Sequence, residues 1–349
     1  MEKREPDQQK GRNMIWDIHV HVAGVGRRNN GNYLSPQFQR SVACRLFLRN
    51  LGLTADLFND EGVDDHIGRL IVSQINASGL DRAVLLAFDA AHQDDGTRDE
   101  QRTLMVTDND FVAGLAATSG KTLFGASVHP YRRDALEELE RLIKKGACLV
   151  KWLPSAQNIQ PDQPRCFPFY DLLAKHNVPL LSHTGAEHTL KAFPDSLSDP
   201  RRLAPALERG VTVIAAHCGT SLFLHEKSYF KAWQEMALRH ENLYGDISAF
   251  GVVTRIWRLG TLLRSPALAA KCLFGSDFPV PPWPLSCLGK ISMNETLAIR
   301  RTRNFFDQSV ALMKAAGVTD EIFARAGQLL RLPGRSSTPP LLAMGKVAA

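Results

Sequence analysis

Eight short apolar runs punctuate the chain, and their hydrophobic positions are close to continuous rather than alternating. They are IWDIHV (15–20), AVLLAF (83–88), LFGASV (123–128), CLVKWL (148–153), VPLLSH (178–183), VTVIAAH (211–217), LYGDIS (243–248) and CLFGSD (272–277). Such runs are what strands covered on both faces look like. Between several of them the apolar positions return with a helical period. DALEELERLIKK (134–145) places Leu136, Leu139, Leu142 and Ile143 on one stripe, with Asp134 as the expected N-cap and Gly146 as the stop. FYDLLAKHN (169–177) predicts another helix, and further helices are expected near 302–316 and 320–331. Strands alternating with helices predict parallel βα units. Eight of them predict an α/β fold, a (β/α)8 TIM barrel forming one domain over residues 14–333.

One connection breaks the rhythm. Residues 22–80 separate the first strand from the second, far beyond ordinary loop lengths, so this long insertion should carry its own helices, one around 64–78. It leaves the strand end at which barrel sites are built, which makes it a candidate lid. The plainer alternative is a peripheral insertion that only packs. Residues 1–13 and 334–349 read as disordered tails.

Composition narrows the function. The 349 residues carry a formal charge of +6, but the basic residues are dispersed. The densest group, Arg300, Arg301 and Arg303, is short and has no interleaved aromatics, which argues against nucleic acid. No apolar run approaches the roughly 20 residues of a membrane span, and the N-terminal stretch has no signal-peptide core. Six scattered cysteines without a CxxC pair suit a reduced, cytoplasmic protein. The expected partner is a small-molecule substrate.

The chemistry sits where the strands end. The first run interleaves Asp17, His19 and His21 with Ile18 and Val20. Alternate strand residues point the same way, so the three should share a face, and two imidazoles at that spacing can converge on one ion. Lys151, His183, His217 and Asp277 each close another run. In a barrel such positions gather at one mouth. Burying so many polar groups is costly unless they are paired or coordinate a metal.

Asp-x-His-x-His on strand one, with Lys, His, His and Asp on strands four, five, six and eight, resembles the amidohydrolase superfamily. The stretches WDIHVH, VKWLPS, LLSHTG, AAHCG and FGSDFP resemble its amidohydrolase-2 branch, which includes relatives of aminocarboxymuconate-semialdehyde decarboxylase. The resemblance implies a metal-dependent hydrolase of a small organic molecule. His19 and His21 would bind the more buried metal, Asp277 would be a shared ligand and a proton acceptor, and His183 and His217 would bind a second metal. In binuclear relatives the strand-four lysine is carboxylated and bridges both ions, which would make Lys151 an N6-carboxylysine. In decarboxylase-like relatives one metal suffices, and the strand-six histidine, here His217, acts on water. Retention of Lys151 favours two ions, whereas resemblance to that branch favours one. Zn2+ is the default, with Mn2+ and Fe2+ compatible with nitrogen and oxygen ligands. Asp17 is expected to orient the histidines without touching the ion.

Arg132, Glu187, His188 and Trp283 are the candidate substrate contacts, Arg132 for a carboxylate. His129 is expected to be a satisfied core histidine. The alternatives to hydrolysis are a non-oxidative decarboxylase using the same metal and a catalytically silent barrel that only binds. The family resemblance also allows a homodimer.

Overall fold

The computed structural model describes residues 14–223, 225–287 and 291–332. The tails expected over 1–13 and 334–349 lie outside the described residues. All eight apolar runs form strands of one parallel sheet: β1 (Trp16–His21), β2 (Arg82–Leu86), β3 (Thr122–Ala126), β4 (Leu149–Trp152), β5 (Leu180–His183), β6 (Val213–Ala216), β7 (Leu243–Asp246) and β8 (Cys272–Leu273). They pair in sequence order. Backbone hydrogen bonds from Ile18 N–H to the Phe274 carbonyl, His21 N–H to the Phe278 carbonyl and Asp277 N–H to the His19 carbonyl join β1 to the segment around β8. That closes the cylinder of a TIM barrel.

At least one helix follows each strand, the principal ones being α1 (Val63–Ala77), α2 (Asn109–Ala116), α3 (Ala135–Lys145), α4 (Phe167–Lys175), α5 (Ala204–Glu208), α6 (Phe230–Arg239), α7 (Val253–Leu263) and α8 (Phe305–Ala315). The stretch expected to be helical over 320–331 is two short pieces, Asp320–Ala324 and Ala326–Leu329. Among the described residues, no helix is long and apolar enough to cross a membrane.

Two details of α3 depart from the pattern read in the chain. Leu139, Leu142 and Ile143 are buried, but Leu136 is 42% exposed and Ala135 takes the inward place. Asp134 precedes the helix without capping it, because its carboxylate is held by the Arg132 guanidinium. Gly146 does end the helix, at φ 107°, a left-handed conformation open to a residue without a Cβ.

The barrel interior is apolar at its base. Trp16, Ile18, Val84, Leu86, Leu149, Leu181, Ile214, Ala216 and Leu273 pack together, with Ala326 and Leu330 sealing one end. Polar groups enter only further along the same strands. The long insertion folds over that polar end. Its residues Tyr33–Leu34 pair antiparallel with Met105–Val106 in the loop after β2, which ties the two together. The insertion also carries helices at Pro36–Gln39 and Val42–Asn50 before α1.

Candidate active site

Strand parity brings most of the polar strand ends inward. Lys151 lies two residues beyond Leu149 on β4, His183 two beyond Leu181 on β5, and Asp246 two beyond Tyr244 on β7, so each shares the face of an interior apolar residue. Two histidines need more than parity. On β1 the pairing register shifts between Asp17 and Val20. Trp16 and Ile18 face the interior, and the bulge lets His19 and His21 face it as well. Asp17 is therefore on the other face, contrary to simple alternation. His217 follows the inward Ala216 and is turned by a left-handed backbone (φ 60°). Asp277 has the same unusual conformation (φ 61°). Non-glycine residues held this way cost on the order of 1–3 kcal/mol each and concentrate at functional sites.

Three donor atoms converge. His19 Nε2 is 3.1 Å from His21 Nε2, and Asp277 Oδ1 is 3.4 Å from the first and 3.3 Å from the second. Two atoms bound to one tetrahedral zinc at about 2.0–2.2 Å lie roughly 3.3–3.6 Å apart, so the spacing suits a shared cation. Among the described residues this is the group of three such donors within 4.8 Å of one another. The expected second cluster on His183 and His217 does not form a comparable group. Their rings do touch, with centroids 5.0 Å apart, and both line the same cavity as His21 and Asp277. His183 Nε2 is buried and makes no hydrogen bond, with Glu187 Oε2 at 3.6 Å. A buried nitrogen lone pair without a donor beside a histidine–carboxylate group fits a metal ligand.

Asp246 and Ser248 set the tautomers. His19 Nδ1–H donates to Asp246 Oδ2 at 2.8 Å, which leaves Nε2 unprotonated. His217 Nδ1 faces the Ser248 carbonyl at 3.1 Å and Ser248 Oγ at 2.9 Å. A carbonyl can only accept, so the His217 proton is on Nδ1 and its Nε2 is free. Asp246 Oδ1 also accepts from the His217 backbone N–H (2.8 Å) and from the Ser248 hydroxyl. Burial pushes the Asp246 carboxyl up, but His19 and His217 outweigh it and hold it below the usual carboxylate range. Asp277 is likewise held well below that range by His217, His19 and His21, against its burial.

Lys151 is 1% exposed, with Nζ 2.9 Å from His19 Nε2. Burial lowers its pKa to about 8, and Asp246, Asp277 and Glu187 oppose the shift. Burial also lowers His183 to about 4 and drives His217 well below 6.5, so both imidazoles are neutral at pH 7. Gly275 is required here. A Cβ on it would come within 2.8 Å of His19 Cβ and 3.2 Å of Ser248 Cβ.

Residues 17–286 match the family model described as amidohydrolase. The chain belongs to the amidohydrolase family. Members of its amidohydrolase-2 branch include hydrolases and decarboxylases. Among solved structures, an uncharacterized TIM-barrel protein from Bordetella bronchiseptica is 17% identical at a TM-score of 0.55, covering 87% of this chain and 99% of that one. A Pseudomonas putida protein assigned as a 2-pyrone-4,6-dicarboxylic acid hydrolase is 13% identical, with a TM-score of 0.51 and coverage of 91% and 94%. Metarhizium anisopliae IDCase is also 13% identical at 0.51, covering 90% of this chain and 94% of its own. At these identities the likeness is one of fold. No curated protein matches the chain significantly.

Other site residues expected in this amidohydrolase fall differently. Asp17 Oδ1 accepts from the backbone N–H groups of His19 (3.1 Å) and Ser276 (2.9 Å). It holds β1 to the loop after β8, and the carboxylate that orients a ring is Asp246. Arg132 does not line the main cavity. Its guanidinium is forked onto Asp134 (2.9 and 2.7 Å) and bonded to Asp89 (3.2 Å), so three of its five N–H groups are committed to carboxylates of the protein. Trp283 is 51% exposed and also outside the cavity lining. Glu187 and His188 do line it, but Glu187 Oε1 accepts from the N–H groups of Thr189 and Leu190, and His188 Nε2 lies 3.0 Å from Glu226. His129 is a satisfied core residue: Nε2 donates to the Gln157 carbonyl and Nδ1 accepts from the Tyr131 N–H.

Proposed function

We propose that this amidohydrolase is a metal-dependent hydrolase acting on a small organic molecule at a carbonyl-type carbon. The observation that carries the reading is the convergence of His19 Nε2, His21 Nε2 and Asp277 Oδ1 within 3.4 Å at the wall of the cavity. His19, His21 and Asp277 would hold a divalent cation, zinc by default, with the orphaned Nε2 of His183 as a further ligand. A cation bound there supplies Lewis acidity and brings the pKa of adjacent water to about 7.

The chain does the rest. Asp246 fixes the His19 ring and its tautomer. His217 is neutral, protonated on Nδ1 and anchored on Ser248, so its free Nε2 can take a proton from water at the cavity wall. Asp277, ionised throughout the neutral range, is a second acceptor. The walls around the site are mostly apolar.

Lys151 separates this reading from the decarboxylase. As a carboxylated lysine it would support a second cation and hydrolysis. As a free amine it leaves one cation and favours loss of CO2 from a carboxylic acid, with Lys151 Nζ moving off the His19 Nε2 lone pair that it faces at 2.9 Å, because the cation takes that lone pair. The test is product analysis of the metal-loaded protein against lactones, amides, esters and carboxylic acids, with metal counting and mass analysis of the Lys151 peptide. Hydrolysis that a chelator abolishes and metal restores is the expected result. Release of CO2 with one metal and unmodified Lys151 would move the protein to the decarboxylases. No turnover and no metal rebinding would leave a silent binding barrel.

A further inference from the structure

The cavity above the proposed metal site has a volume of about 200 Å3, and its composition is one-sided. The insertion after β1 supplies Leu34, Phe38, Phe47, Leu48, Leu51 and Phe58 to its wall, and Ile67 and Ile71 of α1 continue the surface. The polar groups in the lining are almost all committed. His21 and Asp277 face each other, Glu187 binds the backbone at 189–190, and His188 pairs with Glu226.

Apart from the His183 and His217 nitrogens, assigned above to the cation and to water, Arg255 near the start of α7 is the exception. It lines the cavity, is 5% exposed, and its buried Nε has no hydrogen-bond partner. Among the described residues its guanidinium makes no ion pair. Four carboxylates lie near enough to act on its charge, namely Asp277, Asp246, Glu187 and Glu226. Each is engaged elsewhere: Asp246 on His19 and His217, Asp277 on the two β1 histidines, Glu187 on the loop backbone, and Glu226 on His188 and the N–H groups of Leu222 and Phe223. A buried cation without a partner is costly, and a planar five-donor fork matches a carboxylate.

We propose that the substrate of this site is a lipophilic monoanion: an extended hydrocarbon limb, alkyl or aryl, carrying one carboxylate that Arg255 binds. The hydrocarbon limb occupies the chamber built by the insertion. A second charged or strongly polar group on that limb would be buried without a partner, so dicarboxylates and polyhydroxylated acids are disfavoured. The inference rests on the hydrolase reading for the reaction, but the recognition itself uses Arg255 and the chamber.

Calorimetric titration tests it, with 4-phenylbutyrate, its neutral amide and glutarate as probes, on metal-loaded and metal-stripped protein. The wild type should bind phenylbutyrate one to one, at least about tenfold tighter than the amide or glutarate. Arg255→Gln should lose about tenfold for phenylbutyrate while leaving the amide unchanged, and Arg255→Lys should recover part of the loss. Leu48→Asp should weaken the phenylbutyrate and amide probes together. Circular dichroism confirms that each variant is folded, and should Arg255→Gln not fold, the lysine variant and the amide comparison decide. Equal binding of phenylbutyrate and amide, or tighter binding of glutarate, overturns the proposal. Binding that persists after metal is stripped, in a protein that proves not to hydrolyse anything, would leave the substrate class standing and the hydrolase reading fallen.

Discussion

At the scale of single residues, the site depends on Asp246 more than on any group the sequence advertised. Its two oxygens hold His19 Nδ1, the His217 backbone N–H and the Ser248 hydroxyl. Asp246→Asn keeps the shape but removes the charge and leaves the tautomer of His19 open. Partners of metal-binding histidines typically contribute 10–100-fold in metal affinity, so this variant should bind zinc roughly 10–100-fold more weakly in a chelator competition. An unchanged affinity would show that the orientation of His19 has another source.

The histidines, lysine and aspartate were legible in the chain because each interrupts or closes an apolar run, where a polar side chain has no business in a simple core. Asp246 closes one too, but Ile247 continues the apolar run beyond it in LYGDIS and hides the end of the strand. The phase of His19 depends on a bulge, and that of His217 on a left-handed residue, neither of which has a local signature. Arg255 was illegible for a different reason. An arginine on a helix is usually exposed, and its burial is created by packing against segments remote in sequence.

At the scale of elements, α3 shows what periodicity does and does not determine. The strand positions and the helix were readable, because continuous apolar runs and a 3.6-residue period are separate signals. The edge of the buried stripe was not, since Leu136 and Ala135 compete for it and only the neighbouring sheet decides. Leu139 is 0% exposed and Leu136 is 42% exposed. Leu139→Ala should cost about 2–5 kcal/mol in urea unfolding, whereas Leu136→Ala should stay within about 0.5 kcal/mol. Similar losses at both positions would contradict the packing described for this helix. The insertion after β1 raises the same point. Its length marked it as unusual, and its placement over the mouth of the barrel follows from an apolar face that covers the cavity.

At the scale of the whole molecule, several buried neutral histidines tie stability to pH. His129, His183, His217 and His19 all have pKa values lowered by burial. Below about pH 6.5 the unfolded chain takes up protons at these positions that the folded chain refuses, so stability falls as pH drops. Each such histidine steepens the fall by at most about 1.4 kcal/mol per pH unit. His129 lies outside the proposed metal site, so His129→Gln should flatten the decline between pH 6.5 and 5 by about one proton. A decline as steep as that of the wild type would contradict the neutral state assigned to that ring.

The central claim is that His19, His21 and Asp277, distant in the chain, meet on one cation at the mouth of the barrel. Metal analysis of purified protein, alongside a His19→Ala/His21→Ala variant, tests it most directly. The account predicts about one tightly held divalent ion per chain in the wild type, or more if Lys151 is carboxylated, and nearly none in the folded variant. A wild type that takes up no metal when zinc is supplied, or a variant that keeps its full complement, would contradict it.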